Sequence, residues 1–302
     1  MSDEITPLVH SEEEQSCIVQ YRSKAICILM SLQFTTFAIL RSRIVNTQCD
    51  AISLLWGEIM KFIISVSIVK PSLILFKHIH LALVPVFCFC TMNMLSFWAL
   101  RYVNATTFVL ILQLKLVWTA LFSYFILNRR LNSLHIVTMI GIMAGVAAVS
   151  MVDHASDKSN HIWAVCALVL ETILSGFASA WTQMSFGSNI TTMWVRNVQL
   201  SFLSCLMYAS TGIIMECSLV PTEAGMMFGV LSAVGGILVA LTILHVGAIE
   251  KTVTTNFSTA LTVLVEGYLF GNTMDFRRIM ACICVFVDCW IFSRIPIQSD
   301  NF

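Results

Sequence analysis

The chain has 302 residues, of which 58% are hydrophobic and only 11% are charged, and its formal net charge is zero. Water-soluble domains carry about 25% charged residues, so this composition is typical of an integral membrane protein and leaves no room for a separate soluble domain. The neutral charge balance also excludes the strongly basic surface that marks a nucleic-acid-binding protein.

Residues 1–23 are acidic and polar, and we expect them to form a disordered cytosolic tail. The rest of the chain, residues 24–294, is predicted to cross the membrane repeatedly, and residues 295–302 are expected to form a second short cytosolic tail. Apolar segments long enough for ten membrane spans lie near residues 24–40, 51–69, 79–99, 105–127, 134–152, 161–184, 191–215, 225–247, 252–270 and 276–294.

Ten spans divide into two sets of five, residues 24–152 and 161–294, which have similar lengths. A repeat with an odd number of spans inserts upside down relative to its twin, as in many secondary transporters with a site at the repeat interface. The predicted fold is therefore an all-α membrane protein with ten transmembrane helices arranged as two five-helix inverted repeats.

Pairs of glycines four residues apart allow close contacts between membrane helices. We expect these contacts to pack helices within one bundle, while a homodimer through one of them stays open. The pairs are Gly141 and Gly145, Gly225 and Gly229, and Gly267 and Gly271.

The 11 cysteines lie mostly inside apolar runs, where a free cysteine behaves as a small hydrophobic residue. Cys88 and Cys90, like Cys282 and Cys284, are two residues apart and project from different faces of a helix. We therefore predict no disulfide framework, no metal site and no cofactor.

Lys115 is the only formally charged residue among the 23 residues from Ala105 to Leu127. A lysine near the middle of a membrane span costs about 2.5–3.5 kcal/mol on insertion scales. Such a residue normally faces an interior cavity or a partner, so Lys115 is the first candidate for an anion-binding group.

Lys251 opens the ninth predicted span, which is the fourth span of the second repeat and thus the counterpart of the span with Lys115. Backbone N–H groups at a helix start favour anions, although a lysine at this position can also extend to the membrane interface. Two buried ammonium groups predict a phosphate-bearing ligand, and a site that is unfavourable when empty favours exchange over uniport.

Five further polar residues lie inside predicted spans. Glu58 and Lys61 are three residues apart on one helix face and can neutralise each other. Glu171 has no obvious local partner and can pair with a lysine across the bundle. Asn93 and Asn197 can face inward and read the edge of a nucleobase, or they can bond neighbouring helices.

Several sequence blocks together resemble the nucleotide-sugar transporters of the drug/metabolite transporter superfamily. The branch of CMP-sialic acid, UDP-galactose and UDP-N-acetylglucosamine carriers is the most similar one. The blocks are Gln113-Leu114-Lys115, Glu58-Ile-Met-Lys61, Trp194-Val-Arg-Asn-Val-Gln199, and Gly235-Gly236 followed by Lys251.

This resemblance implies exchange of a cytosolic UDP-sugar or CMP-sugar for a lumenal nucleoside monophosphate by alternating access. It implies a location in the Golgi or endoplasmic reticulum membrane, of which we expect the Golgi. We expect membrane lipids to be the other contacts of the chain. The phosphate-binding lysines of the family map onto Lys115 and Lys251, and the base and ribose contacts map onto Asn93 and Asn197.

The chain departs from the family pattern around the expected nucleoside pocket. Phe89 and Phe108 replace tyrosines, so they can stack on a nucleoside but cannot donate a hydroxyl hydrogen bond. The sugar and the base therefore stay open, and a divergent, non-transporting member is an alternative. Other departures are Met94, Gln183-Met184 and Gly247-Ala248.

Two other classes of protein compete with this interpretation. A proton-coupled exporter of small organic molecules would be expected to carry a carboxylate in its first span, and residues 24–40 contain none. A membrane enzyme would need Asp, His or Arg residues clustered at one membrane face, and no such cluster is visible. We therefore expect a transporter that is not an enzyme.

Overall fold

Helices make up nearly all of the part of the chain that the computed structural model describes. Described are residues 5–44, 50–69, 78–103, 108, 111–130, 132–150, 158–187, 190–216, 220–270, 279–280, 283–284, 286–287, 290–291 and 298–299. The helices are α1 (Ile5–Ile44), α2 (Asp50–Ile68), α3 (His80–Ala99), α4 (Lys115–Leu127), α5 (Ser133–Ser150), α6 (Lys158–Phe186), α7 (Ile190–Ile214), α8 (Glu223–His245) and α9 (Ala248–Phe270). Further helical residues follow between 279 and 291.

Six segments of the described helices are long and apolar enough to cross a membrane. This finding agrees with the predicted multi-pass membrane protein, whereas the count of ten spans stays a prediction. α4 is shorter, with 13 residues, and most of the predicted tenth span lies outside the described residues. The six segments are Tyr21–Leu40, Ala51–Ile68, His80–Ala99, His161–Phe186, Thr191–Ile214 and Glu223–His245.

The first helix begins earlier than the sequence predicts. Residues 1–23 are predicted as a disordered tail, but α1 starts at Ile5, and its apolar span starts at Tyr21. Glutamate and glutamine are good helix formers, so a helix can continue beyond the membrane without apolar residues. The boundary near residue 23 therefore marks where the apolar span begins and not where the helix begins, and the cytosolic location of the tail stays a prediction.

Two short strands join the end of the chain to the connection between α4 and α5. These are β1 (Arg129–Arg130) and β2 (Gln298–Ser299), which pair antiparallel with Arg129 opposite Ser299. The predicted tail at residues 295–302 thus contains a paired segment, and this segment lies on the same side of the bundle as the α4–α5 connection.

Glycines allow the helices to approach each other closely at two places. A Cβ atom added to Gly57 on α2 would lie 3.0 Å from the carbonyl oxygen of Gly229 on α8. A Cβ atom on Gly176 of α6 would lie 2.7 Å from the backbone nitrogen of Thr119 on α4. Gly229 therefore packs within the bundle, as predicted for the spaced glycine pairs.

The predicted fourth span is interrupted immediately before Lys115. Residues 111–112 are helical, Gln113 and Leu114 form a turn, and α4 begins at Lys115 itself. The N–H of Leu116 donates to the Gln113 carbonyl at 3.1 Å, a three-residue spacing that is tighter than in an α-helix. Lys115 therefore follows a turn inside the predicted span, and its place near the middle of that span stays a prediction.

Candidate anion-binding chamber

A cavity of about 190 Å³, the central chamber, lies between eight helices, α1–α4 and α6–α9. Polar and charged side chains reach it from both predicted repeats. The structure brings together seven residues that the sequence singled out, namely Glu58, Lys61, Phe89, Asn93, Lys115, Asn197 and Lys251.

The two lysines occupy equivalent places at the chamber. Lys115 is the first residue of α4 and Lys251 is the fourth residue of α9, and both side chains are buried, with 8% and 6% exposure. The N-terminal turn of α9 carries a partial positive charge, which adds to the charge of the Lys251 ammonium group. Because the two ammonium groups also repel each other, this side of the chamber strongly favours an anion.

Lys251 makes only a weak contact with the surrounding protein. Its Nζ donates to the Ser179 hydroxyl at 3.5 Å, and no carboxylate of the described residues lies within ion-pair distance. A buried charge without a counter-charge is unfavourable, so an anionic ligand would stabilise this side chain.

Hydrogen bonds hold the two lysine-bearing turns next to each other. The hydroxyl oxygens of Thr119 on α4 and Thr252 on α9 lie 3.2 Å apart. Nearby, Nδ2 of Asn256 donates to the Gln113 carbonyl at 3.4 Å. The spacing of the two ammonium groups is therefore set by direct contacts between α4 and α9.

Glu58 and Lys61 form the ion pair that their spacing predicts. Lys61 Nζ lies 2.7 Å from Oε1 and 2.6 Å from Oε2 of Glu58. A Cβ atom on Gly236 of α8 would lie 2.9 Å from Cδ of Lys61, so this glycine leaves room for the lysine. The pair is close to neutral as a unit, and it adds dipoles rather than net charge to the chamber.

The two asparagines differ in their partners. Asn93 Nδ2 donates to the Tyr208 hydroxyl at 2.8 Å. Asn197 is 2% exposed, and its Nδ2 has no hydrogen-bond partner among the described residues. A buried donor left unpaired costs about 1–3 kcal/mol, so Asn197 is placed to bind an acceptor on a ligand.

Two predicted site residues do not line the chamber. Phe108 packs in an apolar cluster with Ala99, Val103 and Ile111. In a continuous helix, residues 108 and 115 would share a face, but the turn at Gln113–Leu114 breaks that register. Glu171 is buried on α6, one turn before the chamber residue Ser175, so its predicted role as a supporting charge stays a prediction.

Sequence reasoning missed several uncharged residues that line the chamber. Gln33 on α1 donates from Nε2 to the Leu231 carbonyl at 2.8 Å, and a Cβ atom on Gly235 would lie 2.8 Å from its Cδ. The glycine pair Gly235-Gly236 is the sequence signal that could have indicated this lining, since Gly235 makes room for Gln33 and Gly236 makes room for Lys61. The other missed residues include Phe34, Phe37, Ser175, Thr182, Ser204, Tyr208, Ser232 and Thr255.

Arg196, which belongs to the Trp194–Gln199 sequence block, is buried in the structure. Its Nη1 donates to the His78 carbonyl at 2.8 Å and to Oε1 of Gln199 at 2.7 Å. The arginine thus connects α7 to the residues that precede α3, and it is not one of the residues lining the central chamber.

Comparison with known proteins decides the family. A family model described as "nucleotide-sugar transporter" matches residues 19–293. The chain belongs to the nucleotide-sugar transporter family. The resemblance of the sequence blocks around Lys115, Asn197 and Lys251 is thereby confirmed at the level of the family.

Individual relatives are similar over different parts of their length. A UDP-galactose transporter of Schizosaccharomyces pombe is 30% identical over 64% of this chain and 58% of its own length. A UDP-galactose/UDP-N-acetylglucosamine transporter of Caenorhabditis elegans is 25% identical over 95% of this chain and 86% of its own. A solved crystal structure superposes with a TM-score of 0.69 over 90% of this chain and 96% of its own, at 13% identity, and shares the fold.

Proposed function

We propose that this protein exchanges a nucleotide sugar, with UDP or CMP as the nucleotide, for a nucleoside monophosphate across the Golgi membrane. The observation that carries the proposal is the pair of buried lysines in the first turns of α4 and α9, which face one chamber. Phosphate supplies a counter-charge for the Lys251 ammonium group and acceptor atoms for both lysines. The names of the similar carriers support a UDP-sugar in particular.

The other side of the chamber suits the nucleoside. The unpaired Nδ2 of Asn197 can donate to a carbonyl oxygen or a ring nitrogen of a base. Phe89 offers an aromatic surface for stacking, and Asn93 with Tyr208 offers further polar atoms. The phosphate groups would then lie towards the lysines, with the base towards α3 and α7.

The volume of the chamber requires movement during transport. At about 190 Å³ it is smaller than the roughly 300–1,000 Å³ typical of sites for drug-sized ligands. A nucleotide sugar can therefore bind only after the helices around the chamber separate. This requirement fits alternating access, in which the two repeats rock around one site.

The pattern of helix contacts supports two inverted repeats of five helices. If each helix of the first repeat corresponds to the helix five positions later, α1 corresponds to α6, α2 to α7, α3 to α8 and α4 to α9. Replacing each helix by its counterpart then turns three of the contacts into other contacts that the structure contains. The α2–α8 contact becomes α3–α7, the α3–α6 contact becomes α1–α8, and the α4–α6 contact becomes α1–α9. The contacts α2–α7 and α4–α9 map onto themselves, as expected for a pseudo-twofold axis.

The test is exchange by the purified protein in vesicles. A thermal-shift panel of UMP, CMP and GMP first identifies the base, and vesicles loaded with that nucleotide are then mixed with labelled nucleotide sugars. We expect uptake of a UDP-sugar or CMP-sugar that depends on the internal nucleotide. Uptake at the same rate into empty vesicles would exclude exchange, and no binding of any nucleotide would indicate a non-transporting family member.

A proton-coupled exporter of small organic molecules is the second candidate, because a carboxylate, Glu58, lines the chamber. This carboxylate is already paired with Lys61 at 2.6 Å and is not a lone acid in the chamber, which makes this candidate the weaker one. A pH gradient that drives export from vesicles without any nucleotide would favour it over nucleotide-sugar exchange.

A further inference from the structure

A second cavity lies on the outer side of α1 and α9, facing away from the central chamber. Its volume is about 610 Å³, and nearly all of its lining is apolar. We call it the lateral groove; the residues that define it are Ile28 and Leu32 of α1, Phe257 of α9, and Phe286, Val287 and Trp290.

The lateral groove is open towards the hydrocarbon of the bilayer. Ile28 and Trp290 are both 61% exposed, and Ile28 lies inside the apolar span that begins at Tyr21. At this depth in a membrane, the surrounding medium consists of lipid acyl chains. An apolar groove of this kind is therefore accessible to a lipid chain directly from the bilayer.

One end of the lateral groove carries positive charge. Lys24, Ile28 and Leu32 are spaced four residues apart and lie along one face of α1. Lys24 is exposed, and its Nζ lies 5.9 Å from the centre of the ring of Tyr21, the residue at which the apolar span begins. An aromatic residue and a lysine at the start of a span are typical of the level of the lipid headgroups.

We propose that the lateral groove binds an acyl chain of a phospholipid whose anionic headgroup contacts Lys24. The acyl chain packs between the side chains of α1 and α9 and those of Phe286, Val287 and Trp290, and the anionic headgroup contacts the ammonium group. The charge of Lys24 selects an anionic headgroup over a zwitterionic one, while the apolar lining accepts the chain of either lipid.

Occupancy of the lateral groove is coupled to the central chamber through shared helices. On α1, Leu32 lines the groove whereas Gln33 lines the chamber. On α9, Thr254 lines the groove whereas Thr255 lines the chamber. Between the two cavities, the Thr35 hydroxyl donates to the Ser258 carbonyl at 3.2 Å. A bound acyl chain supports this α1–α9 contact from the lipid side. The coupling to the central chamber rests on the proposed function, whereas the lipid site itself does not.

The experiment maps lipid contacts directly on the full-length protein. Phosphatidylserine and phosphatidylcholine, each with a photoreactive group in one acyl chain, are added to phosphatidylcholine vesicles that contain the protein, and labelled peptides are identified by mass spectrometry. We expect labelling at Ile28, Phe257 and Trp290, stronger with phosphatidylserine. Equal labelling over all lipid-facing helices, including α5, would overturn the proposal.

Variants separate the headgroup contact from the chain contact. Lys24→Gln is expected to lower phosphatidylserine labelling of the groove about fivefold, and Lys24→Arg is expected to retain it. Cys27→Phe combined with Thr254→Phe fills the groove and should remove labelling by both lipids, whereas Val137→Phe, on the exposed face of α5, should not. Unchanged labelling in Lys24→Gln overturns the proposal even if the filled variant fails to fold.

Three further outcomes are informative. The first distinguishes a bound lipid from a second copy of the chain, and the other two distinguish the lipid site from the proposed function. Covalent dimers formed through Ile28→Cys and absent from the wild type would assign the groove to a second copy and overturn the lipid site. Groove labelling in a protein that exchanges no nucleotide leaves the lipid site standing while the proposed function fails. Nucleotide exchange without any preference of the groove for phosphatidylserine leaves the proposed function standing while the lipid site fails.

Discussion

The lysine side of the central chamber, formed by the first turns of α4 and α9, differs from the amide side, formed by α3 and α7. Lys115 and Lys251 present two buried ammonium groups, which attract an anion of any identity. Asn93 and Asn197 present neutral hydrogen-bonding groups, whose geometry distinguishes one acceptor from another. In the proposed function, the lysine side therefore binds the phosphate and the amide side selects the nucleoside.

The largest effect is expected from removing a charge on the lysine side. Lys115→Ala and Lys251→Ala each remove a buried partner of the ligand phosphate, a loss that typically costs about 2–5 kcal/mol. Nucleotide exchange in vesicles should fall about 30-fold or more in each variant. Arg101→Ala removes an exposed positive charge that lines neither cavity, so it is the control and should keep the wild-type rate. Wild-type exchange by either chamber variant would refute the proposed role of the lysines.

The next largest effect is expected from disturbing the close packing of α6 against α4, the helix that carries Lys115. In Gly176→Ala the new Cβ would meet the backbone nitrogen of Thr119 at 2.7 Å, so α4 must shift. Overpacking of this kind costs about 1–3 kcal/mol, and it should lower both the melting temperature and the affinity for nucleotide. The control is Gly212→Ala, whose Cβ meets the Cδ1 of Ile52 at 2.8 Å, since a terminal methyl group can rotate away. Equal melting temperatures for the two variants would contradict the close α4–α6 contact.

On the amide side, Asn197→Leu should separate stability from binding. The unpaired Nδ2 makes no hydrogen bond with the described residues, so its replacement should not lower the stability of the empty protein. Affinity for the nucleoside monophosphate should fall by about 0.5–1.5 kcal/mol, or roughly two- to tenfold. Thermal melting with and without nucleotide measures both quantities. Asn93→Leu is the comparison, and the loss of its hydrogen bond to Tyr208 should lower the melting temperature even without nucleotide.

The smallest effect is expected from Tyr208→Phe, which removes a single hydroxyl group. The hydroxyl accepts the hydrogen bond from Asn93 at 2.8 Å, and its loss should cost about 0.5–1.5 kcal/mol of stability. The preference among UMP, CMP and GMP should change while the dependence on phosphate does not, because the lysine side is intact. Tyr124→Phe alters an exposed tyrosine on α4 and should leave both quantities unchanged. A loss of phosphate dependence in Tyr208→Phe would show that the two sides are not separate.

The lysine side could be predicted from the sequence because a charge inside a membrane span is conspicuous and costly. Lys115 stands out against apolar neighbours, Lys251 opens the corresponding span of the second predicted repeat, and the spacing of Glu58 and Lys61 predicts their ion pair. Gln33 and Tyr208 were missed because uncharged polar residues are common in membrane helices and carry little signal on their own.

Breaks within helices and the ends of helices were harder to predict than charges. Nothing in the apolar run around Phe108 predicts the turn at Gln113–Leu114, and nothing there distinguishes a core position of Phe108 from a position at the chamber. The start of α1 at Ile5 was missed for a related reason, since hydropathy indicates where an apolar span begins and is silent on where a helix begins.

The most direct test of the lysine side compares a nucleotide with its nucleoside. Calorimetric titration of the purified protein with UMP and uridine, and with CMP and cytidine, isolates the contribution of the phosphate group. We predict that the wild type binds the monophosphate at least about 30-fold more tightly than the nucleoside, and that Lys251→Ala loses most of this preference. An undiminished preference for the monophosphate in Lys251→Ala would contradict the assignment of the phosphate site to the lysines of α4 and α9.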